Sequence, residues 1–364
     1  MQCVPAEPET AIQKERLLMR ILVDAMGGDN APEAVALGAI EAARELALEV
    51  VLVGRGEEIL KALEKNGVKT LPTGVEIANA EDVVDMHDDP ATVVRKRRDS
   101  SMVVGLRMLA EGGGDAFVSA GSTGALLTAA TLVVKRIRGI RRAAMGPIIP
   151  TKNGSGAVLI DCGANAECTP EFLLQFAFMG AYYARKTLGC ENPRVALLNI
   201  GTEDSKGGTL QKEAYALLKR AGEAGYLNFI GNIEARDVPL GGADVVVADG
   251  FAGNVLLKSI EGTAVFMASM VKDIFKKNLF TKLAALVCMG GINRMKARMD
   301  YRETGGTLLL GITKPVIKAH GSSDARAIFS AIRQAAQAVS ADITTDIKQN
   351  VDKMIVPKEL EHGE

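Results

Sequence analysis

Five polar, glycine-rich stretches carry the residue types from which a chemical site can be built: DAMGGDNAP (24–32), SAGSTGA (119–125), DCGANAE (161–167), NIGTEDSKGG (199–208) and ADGFAGN (248–254). In the fourth, Lys206 is a flexible point charge suited to phosphate, and Glu203 can orient a donor or hold Lys206. A solvated surface turn accounts for that pair equally well. Gly201 and Thr202 add backbone N–H groups to the same turn. In the second stretch, Ser122, Thr123 and Gly124 fit a helix start, where free N–H groups and the helix dipole attract anions. Taken alone, that turn reads more simply as capping by Ser122. Asp249 and Asn254, and likewise Asp24, Gly27, Gly28 and Asp29, sit at strand-to-helix turns. There a carboxylate can pair with Lys or accept a hydrogen bond from a protonated phosphate oxygen. Asn165 can donate to a developing oxyanion. His320, in KAHGSSDA, is a candidate acid or base, with packing at a helix entry slightly favoured. A Walker loop does not fit residues 119–125, nor does a dinucleotide fingerprint fit residues 24–32.

These turns need strands before them and helices after them. Short β-branched runs predict strands over 21–24, 50–53, 75–78, 116–119, 157–161, 195–199 and 245–248, with a late pair at 307–311 and 315–318. Helical patterns fall at 32–48, 57–66, 101–110, 123–135, 170–188, 209–224, 253–276 and 323–349. Pro32 and Pro170 suit a first helical turn, where the missing N–H costs nothing. The alternation predicts βαβ units and a mostly parallel sheet, whose ligands bind beyond the carboxyl ends of the strands. The turns are therefore expected to converge. No clean linker interrupts the pattern, so residues 19–350 read as one domain of two intimately joined lobes. Residues 1–18 read as a disordered extension or an over-long start, and 351–364 as a frayed tail.

Composition narrows the chemistry. The 364 residues are 48% hydrophobic and 24% charged, with 43 Lys+Arg against 44 Asp+Glu. A formal charge of −1 disfavours a globally basic nucleic-acid binder, and 4% aromatics offers few rings for base stacking. Three histidines nearly exclude a His-rich metal site. Five scattered cysteines without a CxxC pair fit reduced thiols in a cytoplasm. The cysteines lack a His-paired context and read as core or surface residues, with an acyl-enzyme at Cys162 as the alternative. The first residues lack the apolar core of a signal peptide, and no uncharged run reaches bilayer length.

The near-neutral total conceals local features. Arg95, Lys96, Arg97 and Arg98 form one basic burst; Lys135 and Arg136, with Arg138, Arg141 and Arg142, form a second. Both can dock an acidic partner, or be solvated helix ends. Residues 272–299 read as a helical hairpin with Leu279, Phe280, Leu283 and Leu286 on an apolar face between basic flanks, broken at Gly290–Gly291. That face suits a membrane interface, a dimer interface or both.

Taken together, ILVDAMGGDNAPEA, SAGSTGALLTAA, LIDCGANAECTPEFLLQFAFMGAYYA, VALLNIGTEDSKG, NFIGNIEARD, VVVADGFAGNVLLKSIEG and KAHGSSDARA resemble the PlsX-type phosphate acyltransferases of bacterial phospholipid synthesis. The resemblance runs from about Met19 to about Gln349. It implies a three-layer α/β/α fold similar to phosphate acetyltransferases and isopropylmalate dehydrogenases, from which the helical hairpin read at 272–299 is expected to protrude. It further implies acyl transfer from acyl carrier protein to inorganic phosphate, giving an acyl phosphate later used to acylate glycerol 3-phosphate. A homodimer without metal or organic cofactor is expected, in the cytoplasm and peripherally on the membrane. The basic bursts then gain an acidic carrier as partner. Three other readings compete: a coenzyme A-dependent phosphate acetyltransferase, a non-catalytic membrane scaffold for lipid enzymes and, more remotely, a decarboxylating dehydrogenase.

Overall fold

The computed structural model describes residues 19–299 and 305–355. The expected extension, 1–18, lies outside the described residues, as do 356–364 of the expected tail and with them Cys3 and His362.

In chain order the strands are β1 (Arg20–Asp24), β2 (Glu49–Gly54), β3 (Val75–Asn79), β4 (Ala116–Ser119), β5 (Ala144–Gly146), β6 (Ile148–Ile149), β7 (Ala157–Ile160), β8 (Arg194–Asn199), β9 (Asn228–Glu234), β10 (Val245–Val247), β11 (Gly306–Leu310) and β12 (Val316–Ala319). The helices are α1 (Glu33–Leu46), α2 (Gly56–Lys65), α3 (Val93–Lys96), α4 (Ser101–Ala110), α5 (Thr123–Ala129), α6 (Pro170–Leu188), α7 (Thr209–Glu223), α8 (Gly250–Lys276), α9 (Leu279–Met299), α10 (Ala325–Ser340) and α11 (Ile343–Gln349). All nine strands read from the sequence are present. The short β5 and β6, and β9 with its interior glycine, escaped that reading.

The chain divides into two compact units, 1–136 with 304–344 and 137–303 with 345–364. In unit 1 the strands run β3-β2-β1-β4-β12-β11, parallel throughout except for the antiparallel pair β11/β12. Helices α1 and α10 pack on each other and on the sheet, while α4 packs on β1, β2 and β4. The core is apolar and closely filled, with Ile21, Leu22, Leu52, Leu106 and Phe117 fully buried. In unit 2 the order is β6-β7-β10-β8-β9, parallel except for β6 against β7. Helix α6 packs on β7, β8 and β10, burying Phe176, Phe178 and Tyr183. It begins with Pro170 in its first turn and ends at Gly189 in the left-handed conformation, φ 66°. The class is α/β, three-layer α/β/α with mostly parallel sheets.

Three elements differ from the sequence expectation, each for a local reason. The pattern 123–135 is α-helical only to Ala129; Ala130–Val134 form a π-turn that ends at Lys135, φ 74°. The long helix expected at 323–349 breaks at Asp342, φ 47°, into α10 and α11. The apolar hairpin exists as α8 packed on α9, but its turn is at Lys277–Asn278, not at Gly290–Gly291. Asn278 accepts from the N–H of Thr281 at 2.9 Å, and its own N–H donates to Thr281 Oγ1 at 3.1 Å. This reciprocal box starts α9, which then runs straight through both glycines at a propensity cost of about 1 kcal/mol each.

Candidate active site

Parallel neighbouring strands release their following turns at one edge of a sheet. In unit 1, β1, β4 and β12 are such neighbours, and in unit 2, β7, β10 and β8. Within each unit the sequence-identified turns are thus brought side by side.

In unit 1, Asp24 ends β1 and is buried, 2% exposed. Its Oδ1 accepts from Ser101 Oγ at 2.6 Å and its Oδ2 from Ser119 Oγ at 2.6 Å. Burial pushes its carboxyl up, against the two serine hydroxyls and the N–H groups of Met26 and Gly27. A Cβ on Gly27 would lie 2.5 Å from Asp24 Oδ2 and 2.8 Å from the Gly121 nitrogen, so the two turns touch only because residue 27 lacks a side chain. The N–H of Asp29 donates to the Gly321 carbonyl at 2.8 Å, and Asn30 Nδ2 donates to the carbonyls of Ser322 and Ser323 at 3.2 Å each. These bonds stitch turn 24–32, which includes Gly28, to the His320 turn. His320 is exposed, with Nδ1 2.8 Å from Ser322 Oγ. Ser122 occupies the N-cap position of α5 without a side-chain bond to the helix, so capping does not occupy its hydroxyl; Thr123 and Gly124 form the first turn.

In unit 2, Asp161 follows β7 and is fully buried. Oδ1 accepts from the backbone N–H groups of Met145 (2.9 Å), Cys162 (2.7 Å) and Ala164 (3.2 Å). Oδ2 accepts from the N–H of Asn165 at 2.6 Å and from its Nδ2 at 3.1 Å. Burial pushes this carboxyl up as well, with those donors pulling the other way. Helix α8 begins against this turn. The N–H of Gly250 donates to the Asn165 carbonyl at 2.8 Å, and a Cβ on Gly253 would lie 1.9 Å from the Asp161 carbonyl oxygen. Asp249 caps α8 by accepting from the N–H groups of Phe251 (3.0 Å) and Ala252 (2.8 Å). That fixes the first turn; Asn254 follows it and is exposed. Asn165 Nδ2 donates to the Ala143 carbonyl at 2.8 Å as well as to Asp161, so its amide braces the turn and is not open to an oxyanion. Cys162 is buried beside Asp161, and burial pushes its thiol far up; the Cys168 thiol is pushed up to about 12. Both thiols are poor nucleophiles at neutral pH.

The turn after β8 holds Lys206 Nζ 3.8 Å from Glu203 Oε1, both side chains about half exposed or more. Gly201 and Thr202 lie at its start. Asn199 Oδ1 accepts from the N–H of Ile200 at 2.8 Å while its Nδ2 donates to the Lys206 carbonyl at 3.2 Å.

The basic bursts are less free than their sequence suggests. Arg97 is bound by Asp82 at 3.2 Å and Asp88 at 2.9 Å, and Arg98 by Asp99 at 3.3 Å. Among the described residues neither Arg95 nor Lys96 makes such a pair. Lys135 and Arg136 follow the π-turn, where the Lys135 carbonyl accepts from the N–H of Thr313 at 3.0 Å. On the hairpin, Leu279 opens the backbone of α9, and the side chains of Phe280, Leu283 and Leu286 are exposed. No helix among the described residues is long and apolar enough to cross a membrane. Ser101, Ser119, Asp161, Asn199 and Asn232 were not singled out in sequence; Asp161 and Asn199 had a signal, each lying at the junction of a strand and a glycine-rich turn.

Known proteins resemble this chain strongly. The family model described as "Fatty acid synthesis protein" matches residues 19–346. A phosphate acyltransferase of Thermoanaerobacter pseudethanolicus is 48% identical over 92% of this chain and 98% of its own length; one of Bacillus licheniformis is 46% identical over 92% and 99%. Among solved structures, a phosphotransacetylase from Streptococcus pyogenes matches with a TM-score of 0.59 at 20% identity, over 93% of this chain and 100% of its own. A branched-chain phosphotransacylase from Enterococcus faecalis matches with a TM-score of 0.53 at 16% identity, over 88% and 100%. The structural likeness concerns the fold. The identity over nearly the whole length places the chain, an acyltransferase, in the PlsX-type phosphate acyltransferase family.

Proposed function

We propose that this enzyme transfers a long-chain acyl group from an acyl-carrier-protein thioester to inorganic phosphate, releasing the carrier thiol and an acyl phosphate for glycerol 3-phosphate acylation. The observation that carries the reading is that the Lys206 turn and the start of α8 follow two neighbouring parallel strands, β8 and β10. Lys206 is a cation on a braced turn, and Asn254 is an exposed amide just past the capped first turn of a helix. A phosphate oxygen attacks the thioester carbonyl, a tetrahedral oxyanion forms, and the thiolate departs. The nucleophile is already an anion, so positioning and charge stabilisation do most of the work. Lys206 holds the phosphate, with Glu203 orienting the ammonium and the N–H groups of Gly201 and Thr202 adding donors. Asn254 donates to the oxyanion. Asp249 acts through the helix it caps. In unit 1, Ser122, Thr123 and Gly124 are proposed as anion donors at the start of α5, with Asp29 and His320 beside the same strand ends. Asp24, Gly27, Gly28 and Asn165 support the turns rather than touch substrate.

Arg95 and Lys96 suit an acidic carrier best, because Arg97 and Arg98 are already paired; Lys135 and Arg136 are the second candidate surface. Leu283 and Leu286 are exposed on a basic helical hairpin. That supports peripheral contact with an anionic membrane, a second copy of the chain, or both.

Purified protein incubated with acyl-carrier thioester should release carrier thiol only when phosphate is present; phosphate-independent release would identify a thioesterase. Acetyl-coenzyme A offered in place of the carrier substrate tests the phosphotransacetylase reading suggested by the fold. Lys206→Ala should raise the phosphate KM by about two orders of magnitude, the scale of a lost charge-assisted contact to an anion. An unchanged phosphate dependence would remove Lys206 from the site.

A further inference from the structure

Strand β9 does not pair evenly with β8. Val195 faces Phe229, whereas Leu197 faces Asn232, so three steps along β9 match two along β8. Gly231 lies in the extra stretch at φ 97°. Such a bulge re-aims the side chain that follows it. Here the re-aimed residue is Asn232, 8% exposed, whose Nδ2 donates to the Glu203 carbonyl at 2.8 Å. Its Oδ1 is buried and has no hydrogen-bond partner among the described residues. A buried acceptor left unpartnered is destabilising, and an apolar side chain of similar size would avoid that cost. The amide is therefore better explained by its donor than by packing.

The turn it grips is held at two points. Asn199 takes the carbonyl of Lys206 and Asn232 that of Glu203. Asp204, between them, lies 3.7 Å from Lys219 on α7. A lysine side chain is long and mobile, so its ammonium is only as well placed as the backbone that carries it. We propose that Asn232, presented by the β9 bulge, is a positioning residue that sets the Glu203–Lys206 turn for phosphate. The proposal rests on the reading of Lys206 as the phosphate-holding group. The bulge thus gives the NFIGNIEARD segment a task in the reaction through the turn that Asn232 holds.

Two near-isosteric variants, Asn232→Leu and Asn232→Asp, lose the donor; the second keeps a polar side chain should the first fail to fold. In each, the phosphate KM should rise about ten-fold, the size of one lost hydrogen bond to a positioned group, while the acyl-carrier KM stays within about two-fold. Trypsin under native conditions should cut after Lys206 several-fold faster than in the wild type, with the other early cut sites unchanged. Unchanged phosphate KM and unchanged cleavage at Lys206 in both variants would overturn the proposal, as would a lowered melting temperature as the sole effect. The proteolysis reads the turn without catalysis. Loss of bracing in an enzyme whose turnover proved independent of phosphate would thus count against the functional reading and not against the bracing.

Discussion

Asp24 in unit 1 and Asp161 in unit 2 stand at the carboxyl ends of parallel strands, and both carboxylates are buried, yet their partners differ in kind. Asp24 is held mainly by two serine hydroxyls, Ser101 and Ser119. Asp161 is held mainly by backbone amides of its own turn and of β5. A hydroxyl can rotate and accept as well as donate, whereas an amide N–H can only donate and moves only with the chain. The first device fastens two elements to a strand end; the second dictates the path of the turn itself. The glycines nearby repeat the contrast. Gly27 is crowded chiefly by a side-chain oxygen, Gly253 by a backbone carbonyl that cannot swing away.

The largest effect that would sharpen this contrast is in the carboxylates. Asp161→Asn presents an amino group to at least one fixed N–H donor and should cost about 3 kcal/mol by urea denaturation, with faster hydrogen exchange concentrated in residues 157–167. Asp24→Asn should cost about 1 kcal/mol, because a serine hydroxyl can turn to accept from the new amide. Equal losses would end the distinction between rotating and fixed donors. The glycines give a smaller difference between the two regions. Gly253→Ala should cost about 3 kcal/mol and Gly27→Ala about 1–2 kcal/mol, following the general penalty for overpacking. The reverse order would mean that the carbonyl of Asp161 yields more easily than the carboxylate of Asp24.

The smallest effect is a slope with pH. The folded Asp24 carboxyl lies above its ordinary value, chiefly through burial. Between the unfolded and folded values the native state holds more protons, so this group's contribution is complete at the acid end and lost as pH rises through the folded value. The stability margin of wild type over Asp24→Asn should therefore shrink as pH rises through that window. A margin that grew instead would mean the serine hydroxyls outweigh burial. Asp244, which burial raises but Arg194 draws down further, contributes the opposite slope, its stability being lost as pH falls.

Much of the fold was legible because it is locally encoded. The run Ala116–Ser119 and the patterns at Ser101–Ala110 and Pro170–Leu188 lie where hydrophobic period and proline placement put them. The strand β9 was hidden because a bulged glycine interrupts its alternation. The hairpin turn was misplaced for the opposite reason: two glycines look like a break, while a capping box at Asn278, more than three turns before them, actually starts the helix. In the site, Lys206, Glu203 and Asn254 were visible as polar residues in strand-end turns. That Asn165 spends its amide on Ala143 and Asp161 depends on chain 22 residues away, which no local pattern records.

The sequence by itself determined where strands stop, where helices start, and that each junction carries glycine with Asp, Asn, Ser or Lys. These follow from backbone sterics and from the apolar period. Tertiary structure decided which of those polar groups remain free. Ser101 reaches Asp24 across 77 positions of chain, and Asn232 reaches Glu203 across 29. The reason is that a hydrogen bond is spent only when folding brings donor and acceptor together, and the strand order and one bulge set those meetings.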